Sequence, residues 1–260
     1  MKKLFLFVFI GMQAMAAPIT GVDSFAFSFS PLNVICQQSV CTGTTPIPNS
    51  SLTYYYDAYG SANFGILRGY ARATTNGSGS ATGGVLASTN PYFIDTLTFL
   101  GQPLGTHGTI VFTFLVTGSN SSTAGAGGTV GLRVGLASDP IKSPPFRAPN
   151  SSGVITSQAI PFVFGQPIEL RTTLFVDANI FTPAPGASST WDYSQTVVLN
   201  GISLADGSNA PVNNFQVESA SGTVYGVNGV APEPGTLLLM LSGIALAGLK
   251  GRRPNMKRER

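Results

Sequence analysis

His107 is the only histidine of this 260-residue chain, and it lies in Gly105-Thr106-His107-Gly108. A nucleophilic triad would need it as the base, oriented by a carboxylate and paired with a serine. No Gly-x-Ser-x-Gly sequence accompanies it, so an exposed turn residue is expected. Glycoside hydrolysis needs two carboxyl groups across a cleft. Its candidates are Asp23, Asp57, Asp95, Asp139, Glu169, Asp177, Asp192, Asp206 and Glu218, none of them in a recognisable motif. Glu169 and Glu218 read as residues of solvated strand faces. Asp206-Gly207-Ser208-Asn209 carries oxygen ligands suited to Ca²⁺ but lacks the dense Asp repeat of a calcium loop, so it reads as a turn. The glycines of 118–128 have neither the lysine nor the helix of a phosphate-binding loop. The sequence thus predicts no catalytic residue, no metal site and no cofactor.

Three other groups carry chemistry of a different kind. Cys36 and Cys41 are the only cysteines, and in an exported segment they are expected to close a small disulfide loop. Tyr54-Tyr55-Tyr56, Tyr59, Tyr92, Trp191 and Tyr193 offer flat apolar faces to sugar rings, with Trp191, Tyr54 and Tyr56 as the sugar-stacking candidates. Strand alternation places Tyr54 and Tyr56 on one face and Tyr55 on the other. Four Asn-x-Ser sequons, at Asn49, Asn76, Asn120 and Asn150, fall in polar stretches.

The elements that must position these groups are strands. Met1-Lys2-Lys3, the apolar run Leu4 to Ile10 and Ala14-Met15-Ala16 have the form of a secretory signal peptide, so residues 1–17 are set apart from the fold as a signal helix. Residues 18–230 are rich in Gly, Ser, Thr, Asn and Pro and show no helical period. Phe25, Phe27 and Phe29 alternate with small residues, which predicts a strand with its phenyl face buried. Leu52 to Tyr59 and Asn63 to Thr74 read as paired strands turning at Gly60-Ser61. Tyr92 to Leu100, Thr109 to Thr117, Val130 to Leu136, Ile168 to Asp177 and Trp191 to Asn200 follow, then Phe215 to Glu218 and Thr223 to Val227. Asn76 to Gly84, the glycine-rich Ser119 to Gly128 and Thr182 to Gly186 read as loops. Pro140 to Asn150 holds too many prolines for a central strand. The pattern predicts an all-β body, an antiparallel, jelly-roll-like β-sandwich over 18–230.

Charge separates the body from the ends. Eight of the fourteen Lys and Arg lie in the two terminal segments, whereas residues 17–231 hold six basic and nine acidic residues, a balance of −3. A nucleic-acid partner needs a basic face on the folded part, and this composition argues against one.

The C-terminal segment, 231–260, begins Ala231-Pro232-Glu233-Pro234-Gly235 and continues into the uncharged run LLLMLSGIALAGL from Leu237 to Leu249. As a helix that run covers roughly 20 Å, against roughly 30 Å of hydrocarbon. Taking 235–251 as the transmembrane helix and letting Lys250, Arg252 and Arg253 extend toward the headgroups reduces the mismatch. Those cations place the C-terminus in the cytoplasm. Pro232 and Pro234 keep the tripeptide extended, the form a protease reads. The order of tripeptide, Leu-rich segment with glycines and Arg252-Arg253 closely resembles the bacterial PEP-CTERM sorting signal. Members commonly carry Val where this chain has Ala231. The stretch 197–226 also looks like the closing strands of many exported PEP-CTERM proteins, with turns at Asp206-Gly207 and Ser219-Ala220-Ser221-Gly222.

The resemblance implies that an exosortase, a membrane-embedded cysteine transpeptidase, recognises Pro232, Glu233 and Pro234, with Lys250, Arg252 and Arg253 as a cytoplasmic stop. It implies an exported, non-enzymatic protein that passes through a single-span intermediate in the inner membrane. The body would then reach the cell surface or the extracellular polysaccharide matrix. A carbohydrate-binding module is the alternative expectation, and a secreted hydrolase the third.

Overall fold

The computed structural model describes residues 17–29, 32–47, 49–79, 81–138, 146–147, 153–226 and 229–230. The expected signal helix, the helix at 235–251, Pro232, Glu233, Pro234, Lys250, Arg252, Arg253 and Asp139 lie outside them. No helix occurs among the described residues. Their strands are β1 (Ile19–Phe29), β2 (Leu32–Gln38), β3 (Val40–Pro46), β4 (Thr53–Asn63), β5 (Ile66–Asn76), β6 (Val85–Leu100), β7 (His107–Ser122), β8 (Ala126–Leu136) and β9 (Phe146–Arg147). They continue as β10 (Gly153–Thr156), β11 (Ile160–Val163), β12 (Pro167–Ile180), β13 (Ser188–Asp206), β14 (Pro211–Val212), β15 (Gln216–Ser219), β16 (Tyr225–Gly226) and β17 (Gly229–Val230). All pairings are antiparallel, as the period-2 pattern requires of strands with one wet face.

Two large sheets result. The first runs β2-β1-β6-β12-β8-β9, with β15 paired to β6; the second runs β10-β7-β13-β5-β4-β3, with β11 on β7 and β14 on β13. Their facing surfaces interdigitate in one core that includes Phe93, Leu97, Phe99, Leu132, Leu174 and Val176 from the first sheet. The second contributes Leu67, Ile110, Phe112, Phe114, Tyr193, Val197 and Leu199. Phe99, Phe162 and Phe164 meet with ring centroids 4.8 and 4.7 Å apart, contacts worth about 1 kcal/mol each beyond their buried area.

Glycines make room for large rings, across the layers at Gly128 and between neighbouring strands of the second sheet at Gly118. A Cβ on Gly128 of β8 would lie 2.0 Å from Trp191 Nε1, and one on Gly118 would lie 2.3 Å from the Tyr193 ring. These glycines hold the space of two large rings. They also explain a correction. The glycine-rich stretch expected as a loop over Ser119–Gly128 is mostly strand, with β7 running to Ser122 and β8 starting at Ala126. β13 pairs with this end of β7, Trp191 against Asn120 and Thr190 against Ser121, and that ladder overrides local preference.

Two further readings shift. The β4–β5 hairpin turns at Phe64-Gly65, with Gly65 at φ 77°, while Gly60 pairs with Gly69 inside the ladder rather than turning. β1 buries Ser24, Ala26 and Ser28, and its phenyl rings lie on the outer face, Phe29 at 43% exposure. The reason is volume. Tyr56 of the facing sheet packs in one cluster with Ala26 and Ala87, leaving room only for small residues on β1.

Candidate functional site

Cys36 of β2 and Cys41 of β3 form a disulfide with Cα atoms 5.8 Å apart, as expected. β2 is an edge strand of the first sheet and β3 an edge strand of the second, so this bond staples the two layers where the chain crosses between them. His107 opens β7, is exposed, and pairs with Val163. The Asp206 turn forms as read: its Oδ1 accepts from Ser208 N at 2.9 Å, Ser208 Oγ at 2.6 Å and Ala210 N at 3.0 Å. Those donors hold the Asp206 carboxyl below its ordinary range.

The sugar-stacking candidates are corrected by burial. Tyr54, Tyr56 and Trp191 are 3%, 7% and 6% exposed, so none presents a face to a ligand. Trp191 Nε1 donates to Ser189 Oγ at 3.1 Å, and its ring lies against Gly128. Alternation was read with the right period; the structure assigns Tyr54 and Tyr56 to the inside and Tyr55 and Tyr59 to the outside. Tyr54 Oη is buried with no hydrogen-bond partner, and burial raises its pKa. Because an unpaired buried hydroxyl is unfavourable, Tyr54→Phe is expected to raise stability by about 1 kcal/mol, measured by urea unfolding. A loss of stability would mean that the hydroxyl has a partner in solution.

The most developed polar site of the body lies at its C-terminal closure. Asp95 sits on β6 between Phe93 and Leu97, on the inward parity, and is 2% exposed. A carboxyl group there is tolerable only with full hydrogen bonding. Ser219 Oγ donates to Asp95 Oδ2 at 2.7 Å, Ser221 Oγ at 2.6 Å and Tyr225 Oη at 2.8 Å; the Ser221 amide donates to Oδ1 at 3.1 Å. Ala220 N adds a backbone bond to Thr96 O at 2.9 Å. Every donor side chain comes from one short segment, Ser219 to Tyr225, at alternate positions. The Tyr225 hydroxyl is pushed well above its ordinary pKa, first by burial and then by the negative charge of Asp95. The cavity beside this network, lined by Phe93, Asp95, Leu97, Phe112, Leu170 and Tyr225 among others, is water-sized and has no room for an organic substrate.

This network is a clamp that ties the segment Ser219–Tyr225 to β6. Directly after Tyr225, β16 and β17 form a small hairpin, Tyr225 opposite Val230, packed against β13. Pro232 follows Val230 by two positions. In the sequence Ser219–Gly222 is legible only as a turn, and Asp95 only as one of nine candidate carboxylates. The signals were an aspartate at an apolar parity position and the row Ser219, Ser221, Thr223, Tyr225 at period two.

Asp177 and Asp95 do not converge. Asp177 lies on the outer face of the first sheet, accepting from Ser88 Oγ at 2.5 Å and Thr129 Oγ1 at 3.0 Å, whereas Asp95 faces the core. Burial raises the Asp177 pKa, partly offset by those two donors. No cluster of three or more His, Cys, Asp or Glu that could hold a metal occurs among the described residues.

Residues 230–253 match the family model described as the PEP-CTERM protein-sorting motif. No curated protein and no solved structure matches the chain.

Proposed function

We propose, from a chain that carries a PEP-CTERM protein-sorting motif and is therefore targeted to an exosortase, that it is a non-enzymatic exported protein delivered to the cell surface or the surrounding polysaccharide matrix. In this reading residues 1–17 direct export and 18–230 travel as a folded β-sandwich. Residues 235–251 then hold the chain transiently in the inner membrane. Lys250, Arg252 and Arg253 remain on the cytoplasmic side and fix the direction of insertion. The enzyme reads Pro232, Glu233 and Pro234 in an extended backbone.

The single observation that carries the proposal is the motif itself, at 230–253. Its placement supports it: the clamp on Asp95 and the β16–β17 hairpin keep the body folded up to the doorstep of the tripeptide. The test is mass spectrometry of the C-terminus of the cell-surface and culture-medium fractions, with and without a working exosortase. A mature chain ending close to Pro232 only when the enzyme is active is the expected result. A chain that still ends at Arg260 in the presence of the enzyme would remove the sorting role.

A further inference from the structure

We propose that the outer face of the second sheet, where β3, β4, β5 and β13 lie side by side, is a binding platform for a neutral, extended glycan chain. The inference concerns the body alone and does not depend on how the tail is processed. Tyr55 and Tyr59 stand on this face at 40% and 43% exposure. Tyr59 stacks on Tyr70 of β5 with centroids 4.8 Å apart and planes 18° from parallel. That cross-strand stack fixes the ring before any ligand arrives, so little side-chain freedom is lost on binding. Tyr55 and Tyr59 are four residues apart on one strand, a span of about 13 Å. That separation suits a ligand several rings long and exceeds what a single small molecule would bridge.

Polar groups lie both between the rings and beside them. The register places Asp57 and Arg72 side by side in one row, and Tyr70 and Asp192 side by side in the next. Asp57 accepts from Thr42 Oγ1 at 2.6 Å, and Asp192 accepts from the Ser194 amide at 3.0 Å. Arg72 hydrogen-bonds the Tyr70 hydroxyl. Rings alternating with fixed donors and acceptors match a ligand whose C–H faces alternate with hydroxyl edges. Arg68 and Arg72 are balanced by Asp57 and Asp192, which argues for an uncharged chain rather than a polyanion. A protein partner would call for a desolvated apolar anchor ringed by polar groups, and here charged residues occupy the centre.

The test uses the full chain in detergent micelles, titrated with neutral hexasaccharides of several linkages and, in parallel, with uronate hexamers. The expected result is saturable binding of at least one neutral hexasaccharide and weaker binding of every uronate. Tyr55→Ala and Tyr59→Ala should each weaken binding roughly fivefold to tenfold. Tyr59→Phe keeps the ring and should stay within about threefold. Both tyrosines are exposed, and an unchanged melting temperature in the alanine variants shows that the fold is intact. Four outcomes would overturn the proposal: no neutral hexasaccharide binding, binding indifferent to the Tyr55/Tyr59 double variant, preference for uronates, or a double variant whose only effect is to dissociate an oligomer.

Discussion

Asp95→Ala is expected to lower the stability of the body by about 3 to 5 kcal/mol, the largest effect of any single substitution considered for it. The change removes the acceptor for three hydroxyls and one amide: the Tyr225 hydroxyl loses its acceptor at a buried position, and Ser219 and Ser221 lose theirs at half-buried ones. Asp95→Asn keeps the shape and one carbonyl oxygen, and a loss of about half that size is expected. Urea unfolding measures the magnitude. Hydrogen exchange at Ala220 and Ser221 then locates it, because their amides are held by Thr96 O and Asp95. A change below about 1 kcal/mol with both amides still protected would mean that the clamp does not bind the closing segment.

The same network has a pH signature at its alkaline end. Tyr225 has its pKa raised in the folded state, so below the unfolded tyrosine value of 10.0 the hydroxyl is protonated in both states. Above that value the unfolded chain loses the proton first, and stability falls as pH rises. Tyr225→Phe should flatten that limb while lowering stability at neutral pH.

The second large effect concerns the tripeptide. Replacing Pro232, Glu233 and Pro234 together by alanine is expected to abolish processing, with the precursor accumulating in the membrane fraction and its C-terminus intact. Alanine is a strong helix former, whereas each proline holds φ near −65° and keeps the preceding residue extended. The substitution therefore removes both the recognised side chains and the extended backbone. The body should fold as before, since the clamp and the core lie upstream, and unchanged urea unfolding would confirm that the loss belongs to recognition. Normal processing of the triple variant would show that the enzyme reads something other than Pro232-Glu233-Pro234.

Alternation along β1, β4 and β6 was enough to establish strands, an all-β body and antiparallel pairing. Period two, turn residues and the absence of a helical repeat are local properties. The motif was legible for the same reason: Pro232-Glu233-Pro234, the apolar run and the cations form a contiguous string whose meaning does not depend on packing. Cys36 and Cys41 needed only their number and an exported setting.

Which parity faces inward is not local. Phe25, Phe27 and Phe29 point out because Tyr56, on another sheet and some thirty residues away, occupies the space above β1. Tyr54 and Tyr56 point in and Tyr55 and Tyr59 out because β4 must present one face to β1 and β6, a contact between layers that no window of sequence contains. Gly128 reads as a loop residue in the sequence, and only the structure shows that Trp191 needs the space of its missing side chain. Asp95 was one carboxyl among nine until its partners arrived from a segment more than 120 residues later. The sequence by itself determined the address and the class of fold. Only the tertiary structure decided which side chains are core and which are surface, because that choice is made by volume and hydrogen bonding between elements far apart in the chain.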